Sequence, residues 1–133
     1  FHGDVDAAYI VIKNFKDIVI IPLELAFEAP EVDHDKIYSS DKTSKARFIK
    51  SIFEGKESCI LCDPLAAFPL IMPEAVTGVY KVYGEIIREG YRTKGFLAID
   101  WLNTRGANQP NMQIVCSMDW QLVAQVTINS MED

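Results

Sequence analysis

The sequence predicts an α/β fold with a β-rich tail, and three observations lead there. Ile18 to Ile21 is an unbroken, largely β-branched run, the pattern of a strand covered on both faces in a parallel sheet. An amphipathic helical pattern stands directly before it, so helix and strand alternate early in the chain. Beyond Val79 most segments alternate apolar and polar residues with the period of a strand.

Asp4 is placed to cap a helix running to about Phe15, because its carboxylate can accept a backbone N–H that the first turn leaves unsatisfied. Ala8, Val11, Ile12 and Phe15 share the spacing of one buried face, and Asp6 in the first turn suits the helix dipole. Asp17 to Ile21 then forms the strand, and Pro22 must lie at its end or on an edge. Phe27 to Lys42 is polar and acid-rich, with Pro30 and a Ser39-Ser40 pair, and reads as a surface loop. Thr43 or Ser44 opens a helix to about Glu54. Its expected inward residues are Ile49, Ile52 and Phe53, with Lys45, Arg47 and Lys50 outward and Gly55 as the stop.

The next corner, Cys62-Asp63-Pro64, reads as a helix start with Asp63 as cap and Pro64 at the first helical position. A carboxylate there is either a simple cap or one ligand of a cation or substrate site. Leu65 to Met72 is apolar all round, as in a buried helix, and Pro69 predicts a kink or a shortened helix. Val79 to Ile86 alternates, with Lys81 and Glu85 on one side. Gly90-Tyr91 turns, and Lys94 to Asp100 is an apolar strand. Asn103 to Pro110 is a loop, and Met112 to Met118 alternates with Ile114, Cys116 and Met118 on one face. Trp120 to Ser130 closes as a helix whose stripe is Leu122, Val123 and Val126.

At 133 residues the chain is one domain's worth, and 49% apolar with 24% charged residues is the balance of an ordinary globular protein. The net charge of −6 argues against a nucleic-acid partner, which selects a basic face. No apolar run is long enough to span a bilayer. Three cysteines make no disulfide framework at this length and no Asn-x-Ser/Thr site is present, which together point to a reducing, cytoplasmic setting. Residues 1–133 are expected to form a single domain. As a closed unit that domain looks incomplete, because the strand at Ile18 needs parallel neighbours and the chain lacks an initiator Met.

Four stretches carry a family resemblance in a consistent chain order. Phe1 to Ala8 (Phe-His-Gly-Asp-Val-Asp-Ala-Ala), Ile18 to Leu23, Cys62-Asp63-Pro64-Leu65-Ala66, and Gly90 to Trp101 with Asn111 behind it are similar to segments of the nucleoside hydrolases, the inosine-uridine-preferring N-ribohydrolases. The third resembles the family's His-Asp-Pro-x-Ala motif with Cys in place of His. The fourth resembles Gly-x-x-Thr-x-Gly-x-x-x-x-Asp-Trp. The likeness spans nearly the whole chain, with a weak patch from about Phe27 to Lys50.

The resemblance implies the C-terminal part of a Rossmann-like open sheet with helices. It also implies hydrolysis of the N-glycosidic bond of ribonucleosides to ribose and base, using Ca²⁺, in a homo-oligomeric enzyme of purine or pyrimidine metabolism. In the family the ion is held mainly by an Asp-rich motif, binds two ribose hydroxyls and orients the attacking water, and the transition state has oxocarbenium character. Asp63 matches the family's C-terminal Ca²⁺ ligand. Ca²⁺ takes six to eight oxygen ligands, so the rest must come from residues outside this sequence or from another chain. Cys62 stands where a His commonly serves the departing base. A thiol there gives weaker proton donation than an imidazole, and small-residue packing is the alternative role. No Asp-x-Asp-x-x-x-Asp-Asp motif is present, and Asp4 to Asp6 reads as a helix cap. The expectation is therefore a fragment inactive alone, whose partners are a ribonucleoside and the missing N-terminal half of the protein. Two further readings stand beside it. One is a non-catalytic interaction domain; the other is a thiol-redox domain on Cys59-Ile60-Leu61-Cys62. A zinc site from Cys59, Cys62, His2 and His34 lacks a second close-spaced ligand pair. Trp101 and Trp120 read as core or interface aromatics.

Overall fold

The computed structural model describes residues 1–29, 41–53, 62–103 and 109–132. Its elements are α1 (Val5–Asn14), β1 (Ile18–Ile20), α2 (Leu23–Glu28), α3 (Ser44–Phe53), α4 (Cys62–Ile71), a 3₁₀ turn (Pro73–Ala75), β2 (Val76–Ile86), β3 (Leu97–Asp100), β4 (Met112–Met118) and α5 (Trp120–Glu132). The four strands lie in the order β1-β4-β2-β3. β1 runs parallel to β4, with Ile18, Val19 and Ile20 opposite Met112, Gln113 and Ile114. β2 and β3 form an antiparallel pair from Tyr83–Asp100 to Ile86–Leu97. The fold is mixed α/β, as the sequence predicts. The chain divides into two compact units, Phe1–Ile20 with Val79–Val115, and Ile21–Gly78 with Cys116–Asp133.

In the first unit the core is a cluster of Val5, Ile12, Val82, Ile86, Met112 and Ile114. Ile18, Ile20, Leu97 and Ile99 pack against it from the sheet, and Ala8 and Tyr9 from α1. Asp4 caps α1 as predicted, its Oδ1 accepting the Ala7 N–H at 2.9 Å. The buried face of α1 is Val5 and Ile12 with Ala8 beside them, whereas Val11 is exposed and Phe15 is 64% exposed. The predicted face was too wide: Val11 lies 100° from Ile12 around the helix, and Phe15 stands beyond its end. β1 is covered on one face only, for Val19 is exposed between the half-buried Ile18 and Ile20.

The alternation predicted from Val79 to Ile86 holds only from Val82, with Val82, Gly84 and Ile86 buried and Glu85 exposed, whereas Val79, Tyr80 and Lys81 are all exposed. On β4, Cys116 is exposed and Val115 fully buried, so the expected Ile114–Cys116–Met118 face is corrected to a strand covered on both sides at Ile114 and Val115.

In the second unit, α2 packs against α4, α3 against α5, and the 3₁₀ turn against both α4 and α5. Leu25, Ala26, Ala46, Leu65, Phe68 and Val123 are its buried apolar residues on helices. Pro22 sits at the end of β1 and caps α2, a helix in what the polarity pattern marks partly as loop. Thr43 opens α3, its hydroxyl accepting the Ala46 N–H at 3.0 Å and donating to the Met131 carbonyl at 2.8 Å. On α3 the buried residue is Ala46, and Ile52, expected inward, is exposed. α5 is capped by Asp119, whose Oδ1 accepts both the Gln121 and Leu122 N–H groups at 3.0 Å. The all-round burial expected of Leu65 to Met72 does not occur: Leu65 and Phe68 are buried, while Leu70 is 86% exposed and Ile71 is also exposed. α4 runs past Pro69 to Ile71, so the proline does not shorten it. The positions of Glu54, Gly55 and the 30–40 stretch fall outside the described residues.

Candidate functional site

Cys62 is the first residue of α4, so Asp63 lies inside the first helical turn, followed by Pro64. Asp63, predicted as the cap, thus lies inside the helix, and the residue preceding Cys62 falls outside the described ones. Leu65 and Phe68, three apart, are buried and hold this helix to its unit by one stripe. The corner itself stays accessible. Asp63 is exposed and its carboxylate bonds to no described residue, while Cys62 is half-buried with a free thiol. A carboxylate in the first turn sits at the positive end of the helix dipole.

For a hard cation, that arrangement offers one oxygen ligand of the right chemistry. Among the described residues no group of three or more His, Cys, Asp or Glu side chains converges to hold a metal. Asp63 therefore fits as a single contributor to a calcium shell and does not form one. Cys59 and His34 fall outside the described residues, so the Cys59–Cys62 pair and the four-residue zinc set have no geometry here. His2 is exposed, its Nδ1 lying 3.3 Å from the Lys94 carbonyl oxygen on the β2–β3 hairpin.

The Gly90-to-Trp101 motif is architectural. Gly90 and Gly95 have φ of +101° and +86°, the left-handed region that side chains rarely enter. A Cβ on Gly95 would come within 2.9 Å of the His2 Cα. Thr93 donates its hydroxyl to the Glu89 carbonyl at 3.1 Å, and the Ile87 N–H reaches the Phe96 carbonyl at 2.8 Å to close the hairpin. Trp101 packs edge-on against Tyr80, ring centres 5.5 Å apart. Asn111 clamps β2: its Oδ1 accepts the Gly84 N–H and its Nδ2 donates to the Gly84 carbonyl, both at 2.9 Å. The sequence places Asn111 in a Pro-Asn context, and its clamping role comes only from the fold.

A cleft of about 800 Å³ lies in the first unit, bordered among others by Lys13, Lys16, Lys81, Tyr83, Glu85 and Asn111. Neither Cys62 nor Asp63 lines it. Within it Tyr83 donates its hydroxyl to Glu85, and that bond to a carboxylate, with partial burial and the Glu85 charge, raises the tyrosine pKa above its usual value. No pattern in the sequence marks this pair, because a tyrosine and a glutamate two apart on a strand are commonplace.

Residues 1–125 match the family model of the inosine-uridine preferring nucleoside hydrolases. No curated protein sequence matches the chain. Solved nucleoside hydrolase structures share the fold, among them the following two. An inosine-guanosine nucleoside hydrolase superposes with a TM-score of 0.83 at 19% identity, covering 97% of this chain and 44% of that one. A purine-preferring ribonucleoside hydrolase from Gardnerella vaginalis superposes with a TM-score of 0.70 at 20% identity, covering 96% of this chain and 44% of that one. The chain thus spans less than half the length of the solved structures it matches.

Proposed function

From the premise that the chain belongs to the inosine-uridine preferring nucleoside hydrolase family, we propose that it furnishes one side of a ribonucleoside N-glycosidase site. The observation that carries this reading is the accessible Cys62–Asp63 corner at the start of α4, within a chain that matches the family over residues 1–125. Asp63 offers a carboxylate to Ca²⁺, and the remaining oxygen ligands come from polypeptide beyond this chain. When bound, the ion supplies positive charge that fixes the ribose hydroxyls and makes a coordinated water more acidic. Cys62, half-buried one residue earlier, lies beside the base and donates its thiol proton as the base departs.

The reaction breaks the C–N bond between ribose and base, with the electron pair leaving on the base. The water oxygen bonds to the sugar carbon, the Cys62 proton ends on the base nitrogen, and the proton that the water releases restores the thiol. The substrate class is a ribonucleoside, and the complete enzyme assembles as a homo-oligomer. Among the described residues no helix is long and apolar enough to cross a membrane.

The test compares two proteins supplied with Ca²⁺ and either inosine or uridine. One is the 133-residue chain. The other is a chimera in which these residues replace the segment they match in the Gardnerella vaginalis hydrolase. The expected result is no ribose release by the chain alone and release by the chimera that depends on Asp63. Ribose release by the 133 residues alone overturns the reading.

A further inference from the structure

The cleft of the first unit gathers cations in a chain whose net charge is −6. Lys13, Lys16 and Lys81 line it against two carboxylates, Asp17 and Glu85. These residues come from separate places in the sequence: the last turn of α1, the turn into β1, and β2. Glu85 is already engaged, since it accepts the Tyr83 hydroxyl. Lys13 is held by Tyr9, donating to its hydroxyl at 3.1 Å and standing 5.3 Å over the ring. Lys16 and Lys81 have no hydrogen-bond or ion-pair partner among the described residues, and neither has the half-buried amide of Gln113 on the same wall. Lysines spread over a convex surface serve solvation, and half-buried amides ordinarily find a partner. Three ammonium groups and an unpaired amide lining one concavity of about 800 Å³ instead make a focused positive potential of the size a small ligand needs.

We propose that this cleft binds a phosphomonoester with a ring-bearing body. The phosphate takes the ammonium groups of Lys16 and Lys81, and the body lies against the aromatic wall of Tyr9, Phe15 and Tyr83. Two features select that class. A phosphomonoester carries a charge of about −1.5 to −2 at neutral pH, which suits two unpaired ammonium groups better than the single charge of a carboxylate does. The cleft is also far larger than one inorganic phosphate, and its aromatic wall offers that ion nothing. Neither Cys62 nor Asp63 lines the cleft, so the proposal stands apart from the reading of that corner as catalytic.

The test titrates adenosine 5′-monophosphate, adenosine and inorganic phosphate into the 133-residue chain, following the Gln113 side-chain amide by NMR. The monophosphate is expected to bind with a Kd on the order of 1 mM or tighter, at least about tenfold tighter than adenosine or phosphate alone. Lys16→Glu and Lys81→Glu should each weaken it at least about tenfold while the melting temperature moves by no more than about 1 °C. Lys45→Glu, an exposed lysine on α3 outside the cleft, should change it by less than about twofold. If either charge reversal unfolds the chain, alanine at that position takes its place, with a loss of at least about threefold expected. Absence of saturable binding overturns the proposal, as does adenosine or phosphate binding as tightly as the monophosphate. An equal loss in Lys45→Glu, or signals that move at Cys62 and Asp63 and not at Gln113, also overturns it. Binding of the monophosphate beside a failed nucleoside cleavage assay in the chimera keeps this inference and removes the proposed function.

Discussion

Asn111 grips Gly84 with both ends of its side-chain amide, each bond 2.9 Å long, while its own N–H reaches the Val82 carbonyl at 3.1 Å. The side chain acts as a short extra length of strand beside β2, at the point where β4 begins. Asn111→Ala would leave a part-buried N–H and carbonyl without partners, at a cost of about 1–3 kcal/mol. Denaturant unfolding should show that loss in the midpoint with an unchanged slope. Asn111→Asp should not rescue it, since a carboxylate can accept from the Gly84 N–H but repels the Gly84 carbonyl.

Gly95 and Gly3 make a matched pair of substitutions. Gly95→Ala forces a side chain into φ +86° and against the His2 backbone, so a loss of about 1–3 kcal/mol is expected. A Cβ on Gly3 would meet no atom within 4 Å, and Gly3→Ala should be close to neutral. Thermal melts of the two variants check both statements together.

The Tyr83–Glu85 bond makes stability fall in alkali. A tyrosine whose pKa is raised on folding holds its proton more tightly in the native state than in the unfolded one. Its contribution is fully present below the unfolded value of ~10 and is lost as pH rises through the higher folded value. Tyr83→Phe should remove this alkaline component and delete one phenol that titrates above the usual tyrosine value from the absorbance titration. An unchanged alkaline slope in Tyr83→Phe would contradict the assignment.

Cys62 and Asp63 should tolerate change without loss of fold, because one is half-buried and the other exposed. Cys62→Ser and Asp63→Asn are expected to melt within about 1 °C of the parent chain. In the chimera, Cys62→His should raise the rate of base release, since imidazole is the better proton donor near neutral pH. A slower Cys62→His chimera would argue that Cys62 packs rather than serves the base.

Where the sequence carried a local physical signal, the structure follows it. The Asp4 cap, the alternation from Val82 to Ile86 and the turn at Gly90 depend on neighbours within a few residues and are legible in order. β1 is legible as a strand of the parallel type although its partner Met112 lies 94 residues from Ile18. Burial was less legible, because apolar spacing says which side chains share a face but not what stands opposite. Val11, Phe15, Ile52 and Leu70 all had the right chemistry for a core and face outward. α2 escaped notice because six residues give too few periods to separate a helix from a loop. At the candidate site a helix start was legible at the Cys62–Pro64 corner, but Asp63, read as its cap, lies inside the helix. The clamp made by Asn111 was not, since it joins residues 27 apart in the chain.

The most direct measurement is Ca²⁺-dependent ribose release by the chimera with and without Asp63→Asn. The account predicts a fall of at least about a hundredfold at unchanged melting temperature, the loss expected when a metal that stabilises transition-state charge loses one of its carboxylates. An Asp63→Asn chimera as active as its parent would contradict it.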